Sequence, residues 1–141
     1  MGYRSDVAYT IRFNKPEHMA LFIAEALSKD YGKGALDECK IDHPKMQINF
    51  HAEGVKWYDS YPDVQQHEYL ISQAKDWCDS AEHENIRQGG LGYEGATYKL
   101  GYIFIRIGEN SDDVQEDFGG EYDWDWMRVS RQIVTDWSDW V

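Results

Sequence analysis

The run Tyr98-Lys-Leu-Gly-Tyr-Ile-Phe-Ile-Arg-Ile-Gly108 decides the fold, because it is the longest β-like segment in the chain. Its apolar side chains alternate between the two sides of an extended strand, with Leu100, Tyr102 and Phe104 on one side and Ile103, Ile105 and Ile107 on the other. Apolar residues on both faces predict the central strand of the sheet, covered on both sides over part of its length.

An acidic stretch and a second aromatic run follow this strand. Ser111–Gly120 is typical of a turn or mobile loop, and Glu121-Tyr-Asp-Trp-Asp-Trp-Met-Arg-Val129 of another strand. Eight carboxylates and no Lys, Arg or His lie between positions 109 and 125: Glu109, Asp112, Asp113, Glu116, Asp117, Glu121, Asp123 and Asp125. After Val129 the pattern leaves both a helix and a continued strand open.

The N-terminal segment predicts a strand followed by a helix. Apolar and polar residues alternate over Tyr3–Phe13, which is the period of a half-buried strand. Asn14, Pro16 and Glu17 then supply the capping and first-turn signals of a helix start. Apolar residues at helical spacing extend this helix over 15–30.

The middle of the chain predicts a further strand and a second helix. Gly34–Lys45 reads as a loop with a short edge strand around Leu36–Ile41, and alternation over Met46–Ala52 predicts a strand. Val55–Tyr58 is a candidate for another short strand. Apolar residues at i, i+3 and i+4 steps then predict an amphipathic helix over 62–85, and the glycine-rich run after it ends the helix.

The predicted order of elements is β-α-β-(β)-α-β-β. Two helices packed on one face of a mainly antiparallel sheet satisfy this order, which is an α+β fold. The specific expectation is a ferredoxin-like variant with an extra C-terminal strand. No internal repeat or linker divides the sequence, so residues 1–141 are expected to form a single α+β domain.

The charge balance restricts the partners. The chain has 14 Lys and Arg against 26 Asp and Glu, a net charge of −12, which repels nucleic-acid phosphates and anionic membranes and attracts a basic protein surface. No apolar run approaches the roughly 18 residues of a membrane span, and the N-terminus lacks the apolar core of a signal peptide. Cys39 and Cys78 form no disulfide framework, so a cytoplasmic location is expected.

Two stretches resemble small uncharacterised proteins encoded by tailed phages and prophages. They are the opening Gly2-Tyr-Arg-Ser-Asp-Val7, followed by Ile11-Arg-Phe13, and the later Val55-Lys-Trp-Tyr-Asp-Ser-Tyr-Pro-Asp63. The resemblance implies a phage-encoded accessory protein that acts in the host-cell cytoplasm. It carries no assigned activity, so no site residue is transferred from it.

Known catalytic and metal-binding motifs are incomplete in this chain. His51-Ala-Glu53 matches only the first half of the zinc deaminase pattern. Neither Cys39 nor Cys78 has a second cysteine at the close spacing of structural zinc sites, and Cys78 falls on the apolar stripe of the second predicted helix. A nucleophile elbow and a phosphate-binding glycine loop are also missing. We therefore expect no catalytic residues, no metal site and no cofactor.

The acidic and aromatic residues around position 120 predict a recognition surface. If 121–129 is extended, Tyr122, Trp124 and Trp126 share one face and Asp123 and Asp125 the other. Tryptophan dominates interface energetics, and carboxylates steer a basic partner. The predicted partner-binding residues are Asp112, Asp113, Glu116, Asp117, Glu121, Asp123, Trp124, Asp125 and Trp126. The alternative is that the aromatic residues belong to the core and the acids to a solvated face.

The leading hypothesis is a non-enzymatic, phage-derived acidic protein that binds and inhibits a host protein with a basic surface, as a counter-defence or host-takeover inhibitor. One alternative is a small-molecule binder such as a nucleotide sponge, in which arginines hold the phosphates: Arg4, Arg12, Arg106 or Arg128. Another is a small hydrolase without a recognisable motif. The apolar C-terminal residues also leave a homodimer open.

Overall fold

The structure is a computed structural model that describes residues 2–87, 89 and 98–120. Within this part of the chain the helices and strands are, in order, β1 (Ser5–Phe13), α1 (Pro16–Leu27), α2 (Gly32–Asp37), β2 (Lys40–Asp42), β3 (Gln47–Val55), α3 (Pro62–Arg87), β4 (Leu100–Gly108) and β5 (Val114–Gly120). The three longest strands β1, β3 and β4 and the two longer helices follow from the apolar periodicity of the sequence, whereas α2 and β5 do not.

The described strands form one antiparallel sheet in the order β2-β3-β1-β4-β5. The first four strands, with α1 and α3 as crossovers, have the split β-α-β arrangement of ferredoxin-like folds, and β5 extends the sheet beside β4. The prediction of an α+β fold with a mainly antiparallel sheet is confirmed. β4 was predicted to be the central strand, but β1 takes the central position and β4 lies between β1 and β5.

The strand register divides the sheet into two faces. On the face that we call the inner face, Tyr9 of β1 lies opposite Phe104 of β4 and Phe50 of β3, and these residues pack against the helices. The other side of the sheet, which we call the outer face, carries Ala8, Thr10, Asn49, His51, Ile103, Ile105, Ile107, Val114, Glu116 and Phe118.

The helices bury one apolar stripe each against the inner face. Their contributions to the core are Met19, Phe22, Ala26, Ala35, Leu36, Leu70, Ile71, Ala74 and Cys78. The ring of Phe22 lies 5.2 Å from that of Phe13 in β1 and 5.4 Å from that of Trp77 in α3, measured between centroids. Gln73 of α3 is also buried and donates a hydrogen bond to the carbonyl oxygen of Phe22 at 2.9 Å. α1 and α3 are thus held together by both apolar and polar contacts.

The second long helix agrees with its prediction over 62–85. α3 begins at Pro62, carries Asp63 in its first turn and has Arg87 in its last turn, an arrangement that complements the helix dipole. Cys78 is buried on its apolar stripe, as predicted. In the described ranges, no helix combines the length and the apolar character needed to cross a bilayer.

The segment after α1 differs in part from its prediction. The short edge strand predicted around Leu36–Ile41 is present as β2, paired with β3, but the residues before it form the helix α2 instead of a loop. Gly32 starts α2 where a Cβ atom would overlap the backbone carbonyl oxygen of Ala26, so the glycine allows α2 to pack closely on the end of α1. Glycine normally indicates the end of a helix, and here it permits contact between two helices.

Two smaller predictions around the strands are wrong. Asn14 does not cap α1, whose N-cap is Lys15 without a side-chain hydrogen bond. The Asn14 amide instead donates to the carbonyl oxygen of Tyr98, which connects the end of β1 to the start of β4. Val55 ends β3, and residues 56–58 form no separate strand.

The acidic stretch is more ordered than its prediction as a turn or mobile loop over Ser111–Gly120. Only 109–113 form the turn, and Val114–Gly120 form β5, paired with β4 from Ile107 to Gly101. The strand escaped prediction because three of its seven residues are polar or charged and two are glycine. The predicted strand Glu121–Val129 and the segment after it lie outside the described residues.

Candidate functional site

The turn between β4 and β5 is fixed by a hydrogen-bonded ion pair. Arg106 donates from Nη2 to Asp113 Oδ1 at 2.7 Å and from Nη1 to Oδ2 at 3.2 Å, and the Tyr3 hydroxyl donates to the same Oδ2 at 2.6 Å. The hydrogen bonds with Asp113 raise the pKa of Arg106, and burial opposes them. Asp113 accepts three hydrogen bonds from side chains of the same chain, so its carboxylate stabilises the turn.

A second predicted site residue faces the core side of the sheet. Asp117 of β5 is half-buried, and its Oδ1 accepts a hydrogen bond from the Tyr102 hydroxyl at 3.2 Å. Burial, and next the negative charge of Asp117, raise the pKa of Tyr102, so the phenol stays protonated and remains a donor. Asp117 therefore connects the last described strand to the inner face.

The remaining described carboxylates of the acidic stretch face solvent. Asp112 in the turn and Glu116 in β5 are exposed, and exposed Glu109 accepts a hydrogen bond from the backbone N–H of Arg4 at 2.9 Å. On the outer face of β5, Glu116 lies between Val114 and Phe118. These two residues are 37% and 43% exposed, respectively. This row combines one negative charge with two accessible apolar side chains.

The nine predicted partner-binding residues therefore fall into three groups. Asp112 and Glu116 are exposed and lie four positions apart in the hairpin. Asp113 and Asp117 accept hydrogen bonds from Arg106 and Tyr102, respectively. The other five lie outside the described residues: Glu121, Asp123, Trp124, Asp125 and Trp126. Val114 and Phe118 were not predicted as partner-binding residues. The stretch that contains them was predicted to be a loop, and only a strand places alternate side chains on one face.

A groove runs along the outer face beside this row. Its volume is about 690 Å³, and its lining on this face includes Asp6, Ala8, Thr10, Asn49, His51 and Ile105. This size falls within the range of small-molecule pockets. The lining combines apolar side chains with an amide, an imidazole, a carboxylate and the ammonium group of Lys40, which pairs with Asn49 in the sheet.

The arginines predicted to hold phosphates do not converge on this groove. Arg4 donates from Nη1 to the carbonyl oxygen of Gly54 at 2.8 Å, and Arg106 is held by Asp113. Arg12 lies near the far end of β1, about 27 Å from Arg4 at 3.4 Å per residue. Arg128 lies outside the described residues. The described part of the chain thus provides no arginine clamp.

A polar cluster that sequence reasoning missed is enclosed by the inner face and α3. The Tyr9 hydroxyl lies 2.7 Å from Nδ1 of His67 and 3.2 Å from Sγ of Cys39. His67 is 1% exposed, and the centroid of its ring lies 4.1 Å from that of Phe50, with the two rings tilted by 35°. Its Nε2 lies 3.4 Å from a carboxylate oxygen of Glu38, without hydrogen-bond geometry. The only sequence signal was the position of His67 on the apolar stripe of the helix.

The charges around this cluster define the order of its hydrogen bonds. Because Nε2 faces a carboxylate, we assign the proton of the neutral His67 ring to Nε2, so that Nδ1 accepts from the Tyr9 hydroxyl. With this assignment the Cys39 thiol is the donor to the Tyr9 oxygen. Burial raises the pKa of Cys39 to about 11 and raises that of Tyr9. The cysteine is therefore a neutral thiol at pH 7, and the imidazole is engaged by tyrosine, so the nucleophile is not activated.

Acidification below about pH 6.5 is expected to destabilise the protein through His67. Burial lowers its pKa in the folded state, and the charges of Glu38 and Asp63 only partly oppose this. An unfolded histidine titrates near 6.5, so below that pH the unfolded chain binds a proton that the folded chain does not. The free energy of unfolding therefore decreases as the pH falls from about 6.5 towards the pKa of His67 in the folded state, by up to about 1.4 kcal/mol per pH unit.

Urea unfolding between about pH 7.5 and 5 measures this effect. In His67→Gln the titrating group is gone, so the free energy of unfolding should fall less steeply with acidification than in the wild type. His43→Gln replaces an exposed histidine and should keep the wild-type slope. Equal slopes in the wild type and His67→Gln would show that the buried imidazole does not control this pH dependence.

No group of three or more His, Cys, Asp or Glu side chains in the described ranges is arranged to hold a metal ion. Comparison of the chain with protein-family models, with curated proteins and with solved structures finds no match.

Proposed function

We propose that this chain is a non-enzymatic binding protein that docks a basic partner protein on β5 and the 109–113 turn and thereby blocks the partner's basic surface. The observation that carries the proposal is the row Val114, Glu116 and Phe118 on the outer face of the last described strand. Such a row offers apolar contact on both sides of a charge that orients the partner.

The charges support a basic partner. Asp112 and Glu116 are exposed on the hairpin, and the chain as a whole carries a net charge of −12. A field of this sign increases the rate of encounter with a positively charged surface and falls off over about 8 Å at physiological salt. Partly exposed Val114 and Phe118 then supply short-range contact, in which aromatic residues contribute most.

The resemblance to phage and prophage proteins supports a host protein as the partner. A basic surface on a host protein is commonly a nucleic-acid-binding site, since phosphate contacts depend on Lys and Arg. Occupation of such a site by a protein with exposed carboxylates would exclude the nucleic acid. Inhibition by competition, as in counter-defence or host takeover, is therefore the proposed mode of action.

Photo-crosslinking tests where the partner docks. A benzophenone-bearing phenylalanine replaces Phe118 in one sample and Leu21, an exposed residue of α1, in a control. Irradiation in host extract should yield an adduct with a basic protein from position 118 and none from position 21. Duplex DNA added beforehand should reduce the yield, because the proposed partner surface also binds nucleic acid.

A matched pair of charge variants tests the role of the hairpin carboxylates. Asp112→Asn with Glu116→Gln removes two charges from the hairpin, and Glu17→Gln with Asp30→Asn removes two exposed charges elsewhere. Two exposed ion pairs at about 0.5–1 kcal/mol each predict roughly tenfold weaker binding of the isolated partner for the hairpin variant only. Equal affinities of the two variants would overturn the proposal.

The groove on the outer face favours a second candidate function, which is binding of a small aromatic molecule beside the Lys40 side chain. Asn49 and His51 would give hydrogen bonds, and Ala8 and Ile105 would give apolar contact. A thermal-shift screen of neutral aromatic and nucleoside ligands tests this function, with Asn49→Ala as the control variant. A panel without any stabilising ligand would remove this candidate.

A further inference from the structure

Two isoleucines on the outer face are buried without a partner in the described core. Ile103 and Ile105 of β4 are 1% and 5% exposed, although they point away from all three helices. The hydrophobic cluster that the described residues form on the inner face does not include them. An antiparallel sheet with one solvated face normally carries polar residues there, so this part of β4 is a surface that another layer covers.

We infer that the layer covering Ile103 and Ile105 is this chain's own C-terminal segment, residues 121–141. The docking surface is the row Ile103, Ile105 and Ile107, flanked by Thr10 of β1 and Phe118 of β5. The segment supplies apolar side chains to it, so that the sheet is covered on both faces along β4. This inference is independent of the proposed docking on the hairpin, and it competes with small-molecule binding in the outer-face groove, whose lining also includes Thr10 and Ile105.

The position of the last described residue supports this segment. Gly120 pairs with Gly101 at the end of β5, only two residues along β4 from Ile103. Its positive φ of 71° takes the chain out of the extended strand conformation at that point. The segment therefore begins beside the row that it is proposed to cover.

The composition and length of the segment also fit. Four of the six tryptophans of the chain lie in these 21 residues: Trp124, Trp126, Trp137 and Trp140. Twenty-one residues span about 31 Å as a helix and more if extended, and the nine residues of β4 span about 30 Å. The glycine-rich stretch 90–97 has only Leu91 and Tyr93 as large apolar residues, so it provides a smaller apolar surface.

Attachment to the sheet also favours this segment over a second molecule. A tethered segment acts at an effective concentration in the millimolar range when its length suits the distance to be spanned. A second copy or another partner must reach the same surface from solution at much lower concentration. The inference assigns the tryptophans of the segment to packing on the sheet, whereas the proposed function uses the exposed carboxylates of the hairpin.

An intramolecular cross-link tests the inference in the full-length chain. A benzophenone-bearing phenylalanine replaces Thr10, which lies opposite Ile103, or, in a control, exposed Leu21 of α1. After irradiation and digestion, mass spectrometry should locate adducts within residues 121–141 for position 10 and none for position 21. Equal yields from the two positions, or no adduct to this segment, would overturn the inference.

Isotope mixing identifies the source of the covering layer. Equal amounts of ¹⁴N- and ¹⁵N-labelled chains are combined before irradiation, and adducts within single chains stay isotopically uniform. Mixed adducts would assign the layer to a second copy and overturn the inference. Because this measurement uses no partner, loss of partner capture by the hairpin variant and loss of this cross-link are distinguishable results.

A pair of isoleucine variants gives an independent readout without a probe at Thr10. Ile103→Ala removes apolar contact on the outer face, and Ile48→Ala removes it on the inner face, where Ile48 is equally buried. Limited trypsin digestion of the folded variants should cleave after Arg128 and Arg131 faster in Ile103→Ala than in Ile48→Ala. Cleavage at the same rate in both variants would contradict docking of the segment on β4.

Discussion

Replacing Phe22 by alanine is expected to lower the free energy of unfolding by about 3–5 kcal/mol, the range for loss of a buried phenylalanine. Phe22 is fully buried and its ring contacts those of Phe13 and Trp77. The substitution leaves a cavity where α1, α3 and β1 meet, and their backbones are restrained by the sheet and by the hydrogen bond from Gln73. Since small domains are stable by about 5–15 kcal/mol, this is a large share of the total.

Urea denaturation followed by circular dichroism measures this loss as a lower midpoint at an unchanged slope. Leu21→Ala is the matched control, because Leu21 precedes Phe22 in α1 and is 60% exposed. Its effect should stay within about 0.5 kcal/mol. Similar losses for the two variants would show that α1 does not pack through the Phe22 side of the helix.

Replacing Asp113 by alanine is expected to cost about 2 kcal/mol of stability. The substitution leaves the Arg106 guanidinium and the Tyr3 hydroxyl without their shared acceptor. Breaking a fully buried ion pair costs about 3–5 kcal/mol, and the side chains here keep 18% and 31% exposure, so solvent reduces the loss. Neighbouring Asp112 is exposed, and Asp112→Ala should stay within about 0.5 kcal/mol.

A double-mutant cycle with Arg106→Met separates the pair from its surroundings. If the Arg106–Asp113 ion pair accounts for the loss of stability, Asp113→Ala should lower the free energy of unfolding much less in the Arg106→Met background than in the wild type. Equal stability losses for the two neighbouring aspartates would contradict the structural role of Asp113. The comparison also shows which acidic residues of the hairpin are available for a partner, since a carboxylate that holds the turn is not free to bind.

The sequence predicted the elements in which one period dominates over several residues. β1 and β3 alternate between apolar and polar side chains, α1 and α3 repeat them at helical spacing, and β4 is apolar on both faces. α2 was missed because Gly32 and Gly34 disfavour helix in isolation, and its glycine is explained by close packing on α1. β5 was missed because its conformation depends on hydrogen bonds to β4, which a local pattern does not record.

The candidate site was predicted only in part, for a related reason. The sequence located the acidic stretch, but it did not separate Asp112 and Glu116 from Asp113 and Asp117. That separation depends on the hairpin register, which brings Arg106 to Asp113. The cluster of Tyr9, Cys39 and His67 joins residues 30 and 58 positions apart, and no periodicity connects them.

The order of the strands also determines when the sheet can form during synthesis. β1 is made first, yet one of its two neighbours is β4, and their pairs join residues such as Val7 and Arg106. At about 5–20 residues per second, roughly 5–20 s separate the emergence of the two strands from the ribosome. During that interval β1 can pair with β3 but keeps one edge unpaired. The newborn chain therefore carries an apolar strand edge until position 108 has emerged from the ribosome, and this is the period in which it is most exposed to aggregation.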